Sequence, residues 1–175
     1  QSTKPDEQTL VMALQGCSLI AEDEEPAIIE GQSMRPNSLA IGRSLHSDVR
    51  KMRFNSNVFV ASSLVMMYSK CGDIIQAENV FNSLHHRDNV AWNAMIKGYG
   101  LHHEGKVAIQ LFEAMCAQGM KPDAITFTCL LTTCSRVSMI SMGQEMFKIM
   151  KDEYGIAPTE DHVFCIVDLL ARSGA

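Results

Sequence analysis

Apolar positions in the middle of the chain recur at helical spacing in two consecutive groups. The first group contains Trp92 and Ile96, and the second contains Leu111 and Phe112. Spacings of three and four residues place such side chains on one face of an α-helix. Gly119 follows the second group and is typical of the end of a helix. The pattern therefore predicts two short helices joined by a tight turn.

A pattern of one small residue, two variable residues, one apolar residue and phenylalanine occurs three times. Its copies are 77–81, 108–112 and 143–147, and each begins nineteen residues after the start of a repeated unit. The predicted units are 7–57, 58–88, 89–123, 124–159 and a partial unit 160–175. The three intact units are 31, 35 and 36 residues long. Because one hairpin cannot bury both of its apolar faces, repeats of this length predict a stack of hairpins.

The expected fold class is all-α: a single α-solenoid over residues 1–175, with four helical hairpins and one further helix. Hydrophobic residues make up 46% of the sequence, enough for an elongated core. The first unit is longer than the others, and 21–37, which is acidic and contains glycine and proline, is interpreted as an insertion. We expect it to be exposed and poorly held, as either a recognition loop or a tolerated surface insertion. No alternation typical of strands is found, so we predict no strand.

Composition and charge narrow the functional classes. The formal net charge of −5 does not favour nucleic acid, although basic residues cluster within 43–53. No apolar run approaches the roughly 20 residues that a membrane-spanning helix needs, so no membrane partner is expected. The six cysteines have no zinc-ligand spacing, and the histidine pairs 85–86 and 102–103 lie in predicted turns. We predict structural cysteines, with no metal site, no cofactor and no catalytic residue.

Four segments carry a resemblance to a known family. They read Y-S-K-C-G-D-I-I-Q-A-E-N-V-F (68–81), D-N-V-A-W-N-A-M-I-K-G-Y-G (88–100), L-F-E-A-M-C-A-Q-G-M-K-P-D-A-I-T-F (111–127) and E-Y-G-I-A-P-T-E-D-H (153–162). Together they resemble the pentatricopeptide repeat proteins of plants. The varying unit lengths resemble the subclass in which long, short and standard motifs alternate. The resemblance covers all of the chain except the insertion, and it implies a right-handed solenoid and a fragment of a longer array.

The resemblance implies sequence-specific binding of single-stranded RNA, with one base bound by each repeat. It further implies a mitochondrial or chloroplast factor for RNA processing or C-to-U editing, with any transit peptide outside this fragment and other editing factors as candidate partners. Neither an enzyme nor a small-molecule substrate is expected. Three alternatives stay open: a protein-binding solenoid of the tetratricopeptide type, an enzyme with its site on the concave face, and a segment that recruits editing partners.

In the family, the fifth and the last residue of a repeat read the base. In the third unit these residues are Asn93 and Asp123, a combination associated with uridine. In the second unit they are Ser62 and Asp88, a combination associated with guanosine. All four lie near predicted helix starts, where aspartate and asparagine commonly act as caps, so a capping role is the alternative.

The remaining expected contacts follow from the same register. The fourth unit has Thr128 and Thr159 at the two reading positions, a pair that departs from the family pattern and predicts no particular base. Phe59, Val90 and Ile125 are each second in their unit, and the resemblance implies that such residues hold bases between them by apolar contact.

Overall fold

The computed structural model describes residues 5–29 and 31–172. Residues 1–4 and 173–175 of the predicted domain, and Glu30 of the predicted insertion, lie outside the described residues. Nine α-helices form within these ranges. They are α1 (Glu7–Asp23), α2 (Pro36–Lys51), α3 (Val58–Cys71), α4 (Ile74–Ser83), α5 (Asn89–Leu101), α6 (Gly105–Ala117), α7 (Ala124–Arg136), α8 (Ile140–Asp152) and α9 (Glu160–Arg172). The predicted solenoid of four helical hairpins and one further helix is confirmed.

Aspartate or asparagine caps the first helix of each hairpin. Asp6, Asn57, Asp88 and Asp123 each accept a hydrogen bond from the backbone N–H three residues further on. Such a bond satisfies one of the N–H groups that the first turn of a helix leaves unpaired. As a result, α1, α3, α5 and α7 each begin at the first residue of the predicted unit.

The odd-numbered helices lie side by side in one row. In this row α3 packs against α1 and α5, and α7 packs against α5 and α9. Each even-numbered helix packs against the first helix of its own unit and against the first helix of the next unit. The solenoid therefore has two layers, and one face of the row of odd-numbered helices is left free of the second layer. We call this surface the first-helix face.

Aromatic side chains join neighbouring units in the core. Phe81 packs edge-on against Trp92 with ring centroids 5.0 Å apart, and Phe112 does the same with Phe127 at 5.8 Å. These four side chains are buried. Phe147, which has the same place in the fourth unit as Phe112 has in the third, is only partly buried. Its ring lies below the Lys151 amine, 5.7 Å from it, at the surface of α8.

A short β-hairpin interrupts the first unit. Its strands β1 (Ala27–Ile29) and β2 (Gln32–Met34) pair antiparallel. The prediction that the chain contains no strand is therefore wrong in this one place. Strands of three residues are too short to show an alternating pattern, and Gly31 between them, at φ +80°, supplies the tight turn.

The start of α2 is held by the carboxylate of Glu24, the residue that follows α1 and precedes the β-hairpin. Glu24 accepts hydrogen bonds from the backbone N–H groups of Asn37 and Ser38, both at 2.8 Å. It thereby caps α2, whose own N-cap residue, Arg35, makes no side-chain cap bond. The Ser38 hydroxyl and these two N–H groups together lower the pKa of Glu24, since each donates to the ionised form.

The hairpin also contacts the second unit. The Arg35 N–H donates to the carbonyl of Cys71 at 2.9 Å. Gly72 has φ +94°, and a Cβ there would lie 2.9 Å from the Met34 Cα. The prediction of a poorly held insertion is therefore wrong, because backbone and carboxylate hydrogen bonds fix a segment that buries little apolar area. The predicted exposure is observed, since most of the described residues of 21–37 are exposed, among them Ile28 at 75%.

The cysteines belong to the packing of the solenoid. All six are free thiols, and five of them are buried. Burial raises the pKa of Cys71 to about 12 and that of Cys134 to about 11, so both stay protonated at neutral pH. The prediction of structural cysteines is confirmed.

Candidate nucleic-acid interface

The two predicted reading residues of the third unit are brought together by the stacking of α7 on α5. Asn93 lies in the first half of α5 and is 7% exposed, and Asp123 is the N-cap of α7. The Nδ2 group of Asn93 donates to Oδ1 of Asp123 at 3.3 Å. Residues 30 positions apart in sequence thus form one polar site between two units.

Asp123 is the centre of a larger hydrogen-bond network. Its Oδ1 also accepts from the backbone N–H of Thr126 at 2.8 Å and from the Thr126 hydroxyl at 2.9 Å. Its Oδ2 accepts from the side-chain amide of Asn89 at 3.1 Å. Partial burial acts to raise the pKa of Asp123, but the hydrogen bonds from Thr126, Asn89 and Asn93 outweigh it and lower the pKa. The carboxylate is therefore ionised and fixed in orientation.

One polar atom of this site lacks a partner. The Oδ1 atom of Asn93 is buried and accepts no hydrogen bond. A buried carbonyl without a donor is costly, and such atoms commonly mark a place where a ligand or a water is bound. The Asn93 amide thus keeps one free acceptor and one unused N–H, after its first N–H has been given to Asp123.

The corresponding residues of the second unit are not joined. Ser62 in α3 is 6% exposed, and its hydroxyl is buried without a partner. Asp88 accepts the cap bond from the backbone N–H of Ala91 at 3.0 Å. The structure therefore brings together the predicted pair of the third unit, but it does not link the predicted pair of the second.

The fourth unit uses its predicted residues for local contacts. The Thr128 hydroxyl donates to the Ala124 carbonyl at 3.1 Å, one turn earlier in α7. The Thr159 N–H donates to Nδ1 of His162 at 3.0 Å. Both threonines therefore stabilise the starts of helices and do not form a pair.

The three residues expected to hold bases are all exposed. Phe59 is 56% exposed, Val90 43% and Ile125 62%, although each belongs to a helix whose other apolar side chains are mostly buried. Phe59 and Val11 are part of the lining of a cleft of about 450 Å³ at the starts of α1 and α3. Exposed apolar side chains repeated at the same register are typical of a binding surface.

Basic side chains lie in the second halves of the first helices. Lys97 and Arg136, both exposed, line a groove of about 220 Å³ between α5 and α7, together with Thr128. Lys70, at the position in α3 that matches Arg136 in α7, pairs with Glu22 at 2.6 Å. These residues and Asn89 were not among the predicted site residues. An alignment of the units would reveal two of the basic positions, because Lys70 and Arg136 are each the thirteenth residue of a unit.

Neither a group of metal-binding side chains nor a membrane-spanning helix is found in the described part of the chain. Over residues 5–29 and 31–172, no three histidine, cysteine, aspartate or glutamate side chains are grouped so that they could hold a metal ion. None of the helices described is both long and apolar enough to cross a membrane.

The fold and site define a class: an α-solenoid of helical hairpins with an amide–carboxylate pair between successive first helices. A family model described as "PPR repeat family" matches residues 87–136, and one described as "PPR repeat" matches 59–88 and 125–154. The chain belongs to the pentatricopeptide repeat (PPR) family.

Relatives from Arabidopsis thaliana match between 78% and 99% of the chain. The pentatricopeptide repeat-containing protein At3g57430, chloroplastic, is 35% identical over 99% of this chain and 18% of its own length. For CRR2, chloroplastic, the identity is 35% over 99% of the chain and 24% of the relative. At3g02330, mitochondrial, is 42% identical over 78% of this chain and 15% of its own length. The chain thus spans less than a quarter of the length of these relatives.

Solved structures show the same fold. The crystal structure of the pentatricopeptide repeat protein PPR10 in complex with an 18-nt psaJ RNA element superposes with a TM-score of 0.66 at 20% identity, over 98% of this chain and 33% of that chain. A second crystal structure, of PPR10 from maize, also gives a TM-score of 0.66, at 19% identity over 99% of this chain and 27% of that chain. At these identities the likeness establishes the helical-repeat fold.

Proposed function

We propose that this chain is an RNA-binding part of an organellar PPR protein, in which the third unit binds a uridine through Asn93 and Asp123. The observation that carries the proposal is the 3.3 Å hydrogen bond between Asn93 and Asp123, which leaves the Oδ1 atom of Asn93 without a donor. The 18-nt psaJ RNA element bound by PPR10, a protein of the same fold, supports RNA as the ligand.

Uridine complements the groups that Asn93 leaves free. Its Watson–Crick edge carries the N3–H donor beside a carbonyl acceptor, and the Asn93 amide offers an acceptor beside one remaining N–H donor. Cytidine instead presents an unprotonated N3, which would face the Asn93 oxygen without a proton between them. Because Oδ1 is buried in the RNA-free chain, base binding requires a small movement of this side chain. Asp123 limits that movement by holding Nδ2.

The second unit is proposed to bind guanosine through Ser62 and Asp88. The Ser62 hydroxyl has no partner among the described residues, so it is available as either donor or acceptor. Serine is shorter than asparagine and leaves more room for a purine. The exposed side chains of Phe59, Val90 and Ile125 would hold the bases by apolar contact. The fourth unit, with both threonines engaged locally, adds affinity without base preference.

The backbone of the RNA would lie along the basic part of the first-helix face. Lys97 and Arg136 line a groove next to Thr128, which places positive charge beside the base-reading positions. A local basic stripe of this kind is compatible with a formal net charge of −5, because phosphates respond to charge within about one Debye length.

The cellular setting is proposed from the relatives. Names of the Arabidopsis thaliana proteins specify chloroplasts or mitochondria, and the alternating unit lengths of 31, 35 and 36 residues match the subclass with long, short and standard motifs. We therefore place the protein in one of these organelles, as a factor for RNA processing or C-to-U editing, with other editing factors as partners.

Selection from a randomised RNA pool tests the proposal. The chain, or a longer array that contains it, is immobilised, and bound RNAs are sequenced after several rounds at fixed salt. The expected consensus contains guanosine and uridine at adjacent positions, in the order set by the second and third units. Enrichment that is independent of sequence, or retention of DNA as strongly as RNA, would contradict the proposal.

A further inference from the structure

The first residue of the third unit contacts Asp123 at the carboxylate oxygen that Thr126 does not bind. Asn89 begins α5, and its Nδ2 group donates to the Asp123 Oδ2 at 3.1 Å and to the carbonyl of Lys121 at 3.0 Å. One amide therefore ties the carboxylate and the connection between α6 and α7 to the start of α5.

The two oxygens of Asp123 have different environments. Oδ1 accepts from Asn93 and from both donor groups of Thr126. Oδ2 accepts from Asn89. Rotation of the carboxylate about its Cβ–Cγ bond moves both oxygens, so the Asn89 bond to Oδ2 adds to the bonds at Oδ1 in resisting that rotation.

The other units lack such a donor at the first position. The residues there are Glu7, Val58, Ala124 and Glu160. None has a side-chain N–H. In the second unit Val58 offers no donor to Asp88, and the hydroxyl of Ser62 is unpaired. A joined reading pair and a donor at the first position thus occur together in the third unit.

We propose that Asn89 is a specificity-determining positioning residue of the third unit, which holds Asp123 so that Asn93 selects uridine. The proposal rests on the base-reading role given above to Asn93 and Asp123. Asn89 acts through Asp123 and needs no contact with the base itself. Without it the carboxylate is held at Oδ1 only and rotates more easily, so Asn93 is less firmly oriented and its amide more often presents the wrong end to a pyrimidine.

Two variants of Asn89 separate this role from a general effect on folding. Asn89→Val copies the second unit and removes the donor, and Asn89→Asp keeps the shape but faces the carboxylate with a second one. Both leave the α5 cap at Asp88 in place. Far-UV circular dichroism and thermal unfolding test whether the variants fold. Asn89→Ser, which restores a shorter donor, is the rescue variant.

The first readout is competition binding of RNAs that carry uridine or cytidine opposite the third unit. Loss of one hydrogen bond to a charged group is expected to lower the preference for uridine roughly tenfold in Asn89→Val and further in Asn89→Asp. Asn89→Ser should recover part of it. Affinity for RNAs that vary opposite the second unit should stay unchanged.

The second readout is the titration of the Asp123 side-chain carboxyl carbon by NMR, without RNA. Removing the Asn89 donor should raise the pKa of Asp123, because this bond stabilises the ionised form. An unchanged titration and an unchanged uridine preference in Asn89→Val would overturn the proposal. Absence of any uridine preference in the unmodified chain would instead overturn the base-reading function, while the titration still decides the role of Asn89.

Discussion

Truncation of Phe112 tests how neighbouring units are held together. Phe112 is 6% exposed, and its ring packs edge-on against Phe127 at 5.8 Å and against Tyr154 at 6.5 Å. It thus joins α6 to α7 and to the residues that follow α8. Removal of a buried phenylalanine side chain costs about 3–5 kcal/mol, of which the aromatic contacts contribute roughly 0.5–1.5 kcal/mol each.

We therefore expect Phe112→Ala to lower the free energy of unfolding by about 4 kcal/mol. With a urea dependence of about 2 kcal/mol per molar, the midpoint moves down by about 2 M. The measurement is urea unfolding followed by circular dichroism. Since stability in a solenoid is the sum of units and of the interfaces between them, a broadened transition is also expected, with the units around the lost contact unfolding first.

Phe147→Ala is the matched control. Phe147 has the same place in its unit as Phe112 but is only partly buried, so its truncation should cost clearly less. Phe59→Ala, at a side chain 56% exposed, should leave stability nearly unchanged and weaken RNA binding. If Phe112→Ala costs under about 1 kcal/mol, or no more than Phe147→Ala, the assignment of the inter-unit core is wrong.

Three further outcomes are expected. Gly72→Ala should lower the melting temperature more than Gly119→Ala, because both glycines have positive φ but only a Cβ at position 72 meets the β-hairpin; equal effects would show that the hairpin yields freely. The lowered pKa of Asp123 contributes stability that is fully present above about pH 4, the pKa of an aspartate in the unfolded chain. This stability is lost as the pH falls through the lower pKa of the folded state, so Asp123→Asn should flatten the acid side of the plot of stability against pH. Lys97→Ala and Arg136→Ala should each weaken RNA binding by a similar factor for every base and reduce the slope of log affinity against log salt concentration by roughly one. A change confined to one base would contradict a role in binding the RNA backbone.

Most of the fold could be predicted because local signals and unit length agree. The caps at Asn57, Asp88 and Asp123 mark the starts of helices in the sequence, and they stand at a constant distance from the small residues of the second helices. The β-hairpin could not be predicted in the same way. Its strands are short, and the contacts that hold it, such as Glu24 at the start of α2, join residues whose proximity follows only from the fold.

The candidate site was predictable in part. The family resemblance named Asn93 and Asp123 as a pair, and the stacking of α7 on α5 brings them within hydrogen-bonding distance. It did not show that Ser62 and Asp88 form no hydrogen bond, because a serine is too short to make the bond that an asparagine makes. The role of Asn89 depends on which oxygen of Asp123 is left open, a property of the folded network and not of spacing.

The most direct test of base reading is an exchange of Asn93 for threonine. Asn93→Thr keeps a polar group near Asp123 but replaces the amide by one hydroxyl, as in the second unit. The measurement is competition binding of four RNAs that differ only at the base opposite the third unit, with circular dichroism as the check on folding. The preference is predicted to move from uridine to guanosine, by roughly the 1–3 kcal/mol that a wrong base-edge contact costs in DNA readers. An unchanged preference for uridine, with the protein folded and binding, would show that Asn93 only supports the helix and that the base is read elsewhere.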